Sequence, residues 1–105
     1  MDSRLARGHV FAADVPASGE RFEVLARFGP AEIERIVSSD APDGGWYEQA
    51  HDEWVVLVRG TARIEVEAET LELNAGDYLS LPAKTRHRVL ETSSGAVWIA
   101  VHVGR

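Results

Sequence analysis

The side chains best suited to chemistry fall in two short stretches of the chain. The first carries Glu53, which is followed by an apolar run that ends at Gly60. The second carries Gly76, Pro82 and His87. A carboxylate and an imidazole can bind a divalent metal ion together, or they can exchange protons with a substrate. These two stretches are therefore the first candidates for a functional site.

The spacing of these residues resembles the paired motifs of the cupin superfamily. Glu53 and Gly60 reproduce the Glu-x6-Gly end of the first motif, and Gly76, Pro82 and His87 reproduce the Gly-x5-Pro-x4-His core of the second. The resemblance implies an all-β fold, the cupin jelly-roll β-barrel or double-stranded β-helix, of the small single-domain, type 2-like kind. It does not name an activity, because one fold serves many functions.

The resemblance also implies a metal site, although two positions differ from the usual motif. The two histidines that normally precede the Glu are replaced by Tyr47 and Gln49, so Glu53 and His87 are the ligands carried over directly. Gln49 could add an amide oxygen, which is a weak ligand for late transition metals.

Two other histidines could complete the set. His51 lies two residues before Glu53, and residues two apart in an extended segment point to the same face. His51 and His87 with Glu53 would form the ligand set of non-haem iron and catalytic zinc sites. The direction of His102 depends on a one-residue register in the last strand. The predicted divalent ion is iron, zinc, manganese or nickel, and the candidate ligands are His87, Glu53, His51, Gln49 and His102.

Three functions remain open at this point. The first is a metal-binding cupin that acts on or binds a small polar metabolite. The second is a metal-free module that binds a sugar or metabolite against aromatic walls. The third is a metal-independent isomerase or lyase with a histidine base. Candidate catalytic residues are His51, His87 and Tyr47. The ordinary alternatives are an exposed His51, a His87 that only hydrogen-bonds Glu53, a Tyr47 buried against the arm and a Glu53 on the barrel rim.

Short segments of strand-forming residues, spaced about ten residues apart, predict the elements that hold this site. The predicted strands are 21–27, 32–38, 54–58, 62–67, 70–73, 78–81, 86–91 and 97–103, with a short ninth at 46–49. The apolar run 54–58 indicates a strand buried on both faces. Gly60 predicts a hairpin turn, and the last strand is expected beside the strand of His87. Residues 20–105 form the predicted barrel, and residues 1–19 form an arm on the barrel or on a dimer partner.

Composition narrows the class of protein. The chain has 105 residues, no cysteine and a formal net charge of −6. These values exclude a disulfide scaffold and disfavour nucleic-acid binding, which needs clustered positive charge. No apolar run reaches the roughly 20 residues of a membrane span. We therefore expect a cytoplasmic protein that binds a small molecule. We do not expect it to bind nucleic acid or membranes. We also expect a homodimer, because a small barrel leaves sheet edges that favour pairing.

Overall fold

Eight antiparallel strands form the described part of the chain. The computed structural model describes residues 5–105, so the first four residues of the predicted arm lie outside it. The all-β prediction is confirmed, since none of the residues 5–105 is helical, and none therefore forms a helix that could span a membrane. The strands are β1 (Glu20–Phe28), β2 (Ala31–Ser38), β3 (Asp52–Arg59), β4 (Thr61–Val66), β5 (Glu69–Asn74), β6 (Tyr78–Leu81), β7 (His87–Thr92) and β8 (Ala96–Val103).

Two sheets face each other, as in a jelly roll. The larger has the strand order β1-β2-β8-β3-β6 and the smaller has the order β5-β4-β7. Two expectations about neighbours were wrong. Strand β8 lies between β2 and β3 rather than beside β7. Gly60 does not close a hairpin, because β3 and β4 belong to different sheets, and the glycine instead marks the corner where the chain crosses between them.

The core lies between the sheets, because alternate residues of each strand point to the same side. Val55 and Leu57 of β3 are buried there, as are Ile64 of β4 and Trp98 of β8. The prediction that residues 54–58 are buried on both faces was wrong at its first residue. Trp54 points away from the core and is 39% exposed.

Residues 5–19 form a segment without strands that contacts the outer face of the larger sheet. The Arg35 guanidinium donates hydrogen bonds to the carbonyl oxygens of His9, at 3.1 Å, and Val10, at 3.3 Å. The Arg59 guanidinium lies 3.8 Å from the centroid of the Phe11 ring. These contacts fix the described part of the arm on its own barrel.

Candidate functional site in the barrel cavity

A cavity of about 400 Å³ opens between the two sheets. Its apolar wall includes Val55, Ile64, Leu81 and Trp98. Its polar lining comes from six different strands or strand-like segments, and it consists of Glu20, Glu34, Tyr47, Gln49, Glu53, His87, His102 and Arg105. A mostly apolar cleft with a few convergent polar groups is the usual form of a small-molecule site.

His87 and Glu53 face each other across this cavity. His87 begins β7 and Glu53 lies near the start of β3, on opposite sheets. The Nδ1 atom of His87 lies 2.9 Å from the Thr85 carbonyl oxygen, so this nitrogen carries the proton and donates it. The Nε2 atom is then a free acceptor and lies 4.0 Å from Glu53 Oε1. The two side chains are only 10% and 9% exposed, so Glu53 lies inside the cavity and not on the barrel rim.

Tyr47 and Gln49 are positioned by an irregular strand segment that runs beside His87. Tyr47 and His87 exchange backbone hydrogen bonds, with N···O distances of 2.7 and 2.9 Å. Their rings stack at a centroid separation of 5.6 Å. Burial, followed by the negative charge of Glu20, raises the pKa of the Tyr47 phenol. The backbone carbonyl of Gln49 accepts a hydrogen bond from Lys84 N–H at 2.6 Å. Lys84 has φ 66°, a left-handed conformation that residues other than glycine rarely adopt.

His51 and His102 form a hydrogen-bonded chain at the end of the cavity. His51 Nε2 lies 2.8 Å from His102 Nδ1, and His102 Nε2 lies 3.0 Å from Glu34 Oε1. The other oxygen of Glu34 accepts a hydrogen bond from Arg105 at 3.3 Å. Burial, followed by the charges of His102 and Arg105, lowers the pKa of His51. Both ring nitrogens of His102 are therefore engaged by protein groups.

The register of β8 settles the direction of His102, which points inward and is 2% exposed. Of the candidate residues, His87, Glu53, Tyr47, Gln49 and His102 line the same cavity. His51 lines only a small adjoining crevice with Gln49, Glu53 and His87. Within residues 5–105, no three His, Cys, Asp or Glu side chains lie close enough to hold a metal ion together. The predicted set of metal ligands therefore stays a prediction.

Two carboxylates of the cavity escaped the sequence analysis. Glu20 accepts a hydrogen bond from Ser38 Oγ at 2.7 Å, and that hydroxyl accepts one from Trp98 Nε1 at 3.0 Å. Glu34 lies between Ile33 and Ile36 in a strand whose last five residues are buried. Glu34 could have been found because it is an acidic residue within a strand rich in β-branched residues. Glu20 begins its strand, and no pattern in the sequence there indicates a place in the cavity.

Comparison with known proteins identifies the family. The sequence model of the Cupin domain matches residues 37–102, more than half of the chain. The chain belongs to the cupin family. This cupin is also similar to a protein from Ralstonia eutropha JMP134, provisionally named a mannose-6-phosphate isomerase. The two share 39% identity over 96% of this chain and 100% of the other, with a TM-score of 0.84.

More distant structures share the fold of this cupin. KdgF from a Halomonas species is 21% identical over 89% of this chain and 86% of its own, with a TM-score of 0.77. A Cupin 2 conserved barrel domain protein from Salinispora arenicola CNS-205 is 20% identical over 97% and 90%, with a TM-score of 0.71. A search of curated protein sequences returned no significant match.

Proposed function

We propose that this cupin binds a small polar metabolite in the barrel cavity and acts on it at a divalent metal ion held by His87 and Glu53. The observation that carries the proposal is the state of Glu53. Its side chain is only 9% exposed, its Oε1 atom lies 4.0 Å from His87 Nε2, and its carboxylate lines the cavity. A carboxylate and an imidazole that face the same cavity are side chains that bind a divalent ion together.

The residues present fit a metal ion, although they make an incomplete set. The 4.0 Å between His87 Nε2 and Glu53 Oε1 is longer than the roughly 3.0–3.4 Å that separates neighbouring ligand atoms around one ion with bonds of about 2.0–2.2 Å. The two side chains would therefore have to approach each other by about half an ångström or more to bind the same ion. Gln49 and Tyr47 line the same cavity and offer two further oxygen atoms. When bound, such an ion acts as a Lewis acid on a substrate oxygen or activates bound water.

The chain itself supplies the orientation of the site. The hydrogen bond to the Thr85 carbonyl fixes the tautomer of His87, and an engaged second nitrogen is the usual arrangement for a metal-binding histidine. The stacked ring of Tyr47 restricts rotation of the imidazole. The apolar wall of Val55, Ile64 and Leu81 limits the access of water to the pair. The name of the Ralstonia protein, which refers to a sugar phosphate isomerase, supports a sugar-like ligand class.

The deciding measurement is the metal content of the protein purified without an affinity tag. We expect bound divalent metal in the wild type and almost none in His87→Ala, because only one of the two direct ligands would remain. His51→Ala should keep its metal, because the 2.8 Å contact with His102 occupies the ring nitrogen that faces inward. His9→Ala, on the exposed arm, is the matched control. Melting temperatures establish that each variant is folded.

A loss of metal in His51→Ala as severe as in His87→Ala would show that His51 is a ligand and that its contact with His102 breaks on binding. Equal metal content in the wild type and in all three variants would contradict a site at His87. A wild type without metal would favour the second candidate function.

The second candidate is a metal-independent enzyme in which His87 acts as the base and Glu53 stabilises its protonated form. Two observations favour it: Tyr47 and Gln49 occupy the positions of the usual histidines, and residues 5–105 contain no metal-binding trio. A ligand-induced change that persists after exhaustive chelation, and that is lost in His87→Ala, would support this candidate over the first.

A further inference from the structure

The charges that line the cavity oppose an anionic ligand. Three carboxylates, Glu20, Glu34 and Glu53, contribute to the lining, against a single guanidinium, Arg105. Arg105 is already paired, at 3.1 Å with Glu32 and at 3.3 Å with Glu34. Within the described residues, the cavity therefore offers a phosphate group no unpaired Arg or Lys side chain.

Two of these carboxylates are free to accept hydrogen bonds from a ligand. Glu53 is only 9% exposed and lines the cavity, where its Oε1 atom lies 4.0 Å from His87 Nε2, beyond hydrogen-bond distance. Glu20 uses one oxygen, Oε2, for the Ser38 hydroxyl, while its other oxygen remains available. A carboxylate is an acceptor only, so it suits the hydroxyl groups of a ligand rather than phosphate oxygens, which are themselves acceptors.

The aromatic walls suit the same chemistry. Trp98, Tyr47 and Phe22 line the cavity together with Glu20. The Trp98 indole is fixed by its hydrogen bond to Ser38, so its position is set before a ligand enters. Flat aromatic surfaces beside fixed acceptors match a molecule with an apolar C–H face and a rim of hydroxyl groups.

We propose that the cavity takes an uncharged polyhydroxy compound, an unphosphorylated sugar or polyol, and discriminates against its phosphorylated form through Glu20 and Glu53. This proposal takes the cavity of the proposed function as the ligand site and applies to the protein without a metal ion, because a divalent cation at Glu53 would offset the negative charge of the cavity. It departs from the sugar phosphate in the name of the Ralstonia protein, and the reason is the charge of this cavity.

The experiment compares matched pairs that differ by one phosphate: mannose and mannose 6-phosphate, fructose and fructose 6-phosphate, glucitol and glucitol 6-phosphate. Binding to the full chain after exhaustive chelation is followed through the indole N–H resonance of Trp98, which is assigned by its loss in Trp98→Phe. We expect at least one neutral member to shift this resonance at millimolar concentration. Its phosphorylated partner should bind at least roughly tenfold more weakly, because like charges across a partly desolvated cleft repel.

Two variants test whether the charge of the cavity is the cause. Glu20→Gln keeps an acceptor for Ser38 and removes one negative charge. It should therefore reduce the difference in affinity between a neutral compound and its phosphorylated partner. Glu69→Gln is the matched control, because Glu69 is exposed and lies outside the cavity lining. A smaller difference in affinity in Glu20→Gln, with no change in Glu69→Gln, supports the proposal.

Equal or tighter binding of the phosphorylated member would overturn the proposal, as would an unchanged gap in Glu20→Gln. A complete lack of response to the neutral members would overturn it as well. The proposed metal site is judged separately by the metal content of His87→Ala, so either idea can fail without the other.

Discussion

The pKa values of two glutamates in the same cavity are shifted in opposite directions. Burial raises the pKa of Glu20, and the hydrogen bond from Ser38 opposes this only in part. Burial also acts to raise the pKa of Glu34, but the hydrogen bond from His102 and the charge of Arg105 outweigh it, so that pKa is lowered. The surroundings of Glu20 thus disfavour its ionised form, whereas those of Glu34 stabilise its ionised form.

The two glutamine variants should therefore change stability with opposite signs near neutral pH. Because the folded-state pKa of Glu20 lies above its ordinary 4.5, its contribution is fully present below that value and is lost as the pH rises through the folded-state pKa. We expect Glu20→Gln to raise the melting temperature near neutral pH and to have little effect in acid.

Glu34 behaves in the reverse sense. Its folded-state pKa lies below the ordinary 4.5, so its contribution is present above that value and is lost as the pH falls through the folded-state pKa. Glu34→Gln should lower stability near neutral pH by about 1–3 kcal/mol, since it weakens hydrogen bonds to a charged group. Urea unfolding across the pH range measures both effects, and a shift of the same sign in both variants would contradict this account.

The sequence identified the centre of the site better than its periphery. His87 and Glu53 could be predicted because a turn glycine and a proline fix their strand positions. Glu20 and Glu34 could not, because their place in the cavity depends on the pairing of β1 with β2 and of β2 with β8. The hydrogen bond between His51 and His102 joins residues 51 positions apart, a contact that no local pattern encodes.

At the scale of elements, the corner at Gly60 joins the two sheets. Gly60 has φ 90°, a conformation that side chains rarely adopt. A Cβ atom added there would lie 2.5 Å from Ser93 Oγ, in the turn between β7 and β8, and 2.9 Å from Ala96 Cβ, at the start of β8. The corner therefore needs a glycine both for its backbone and for its close contact with another turn.

Replacing Gly60 by alanine should lower the free energy of unfolding more than the same change at a glycine where only the backbone conformation is unfavourable. Gly76 provides that comparison, because it has φ 100° and open space around it. Gly76→Ala should destabilise the fold by roughly 1–2 kcal/mol, the cost of a left-handed residue. Gly60→Ala should cost clearly more, as measured by urea unfolding. Equal losses would mean that Ser93 and Ala96 move aside freely.

The positions of the strands along the chain could be predicted from the sequence, but the order of the strands within each sheet could not. Strand β6 has the predicted bounds and the ends of the other seven lie within two residues of prediction, because period-two alternation and turn residues are local signals. The predicted ninth strand at 46–49 was wrong, since only Tyr47 forms an isolated bridge there, with His87. The position of β8 between β2 and β3 is a long-range pairing. Trp54 is exposed because the outer face of its strand is only partly covered, which the apolar run alone does not reveal.

On the scale of the whole molecule, the larger sheet presents an apolar surface on its outer face. Trp54 is 39%, Tyr78 63% and Val103 44% exposed. The rings of Trp54 and Tyr78 lie 5.5 Å apart, and a groove beside them is lined by Val101 and Val103. Contiguous exposed apolar surface of this kind commonly marks a protein–protein interface.

We expect two copies of the chain to associate through this surface, since two-fold dimers are the commonest oligomers and each copy would present the same patch to the other. Sedimentation should give a dimer for the wild type and a monomer for Tyr78→Glu, which would bury a charge at the interface. Phe28→Glu is the matched control, because Phe28 is 68% exposed but lies on β1, at the opposite edge of the sheet. A dimer that survives Tyr78→Glu but is lost when residues 1–19 are deleted would assign the interface to the arm. A monomeric wild type would exclude both arrangements, and the patch would then have to serve another partner.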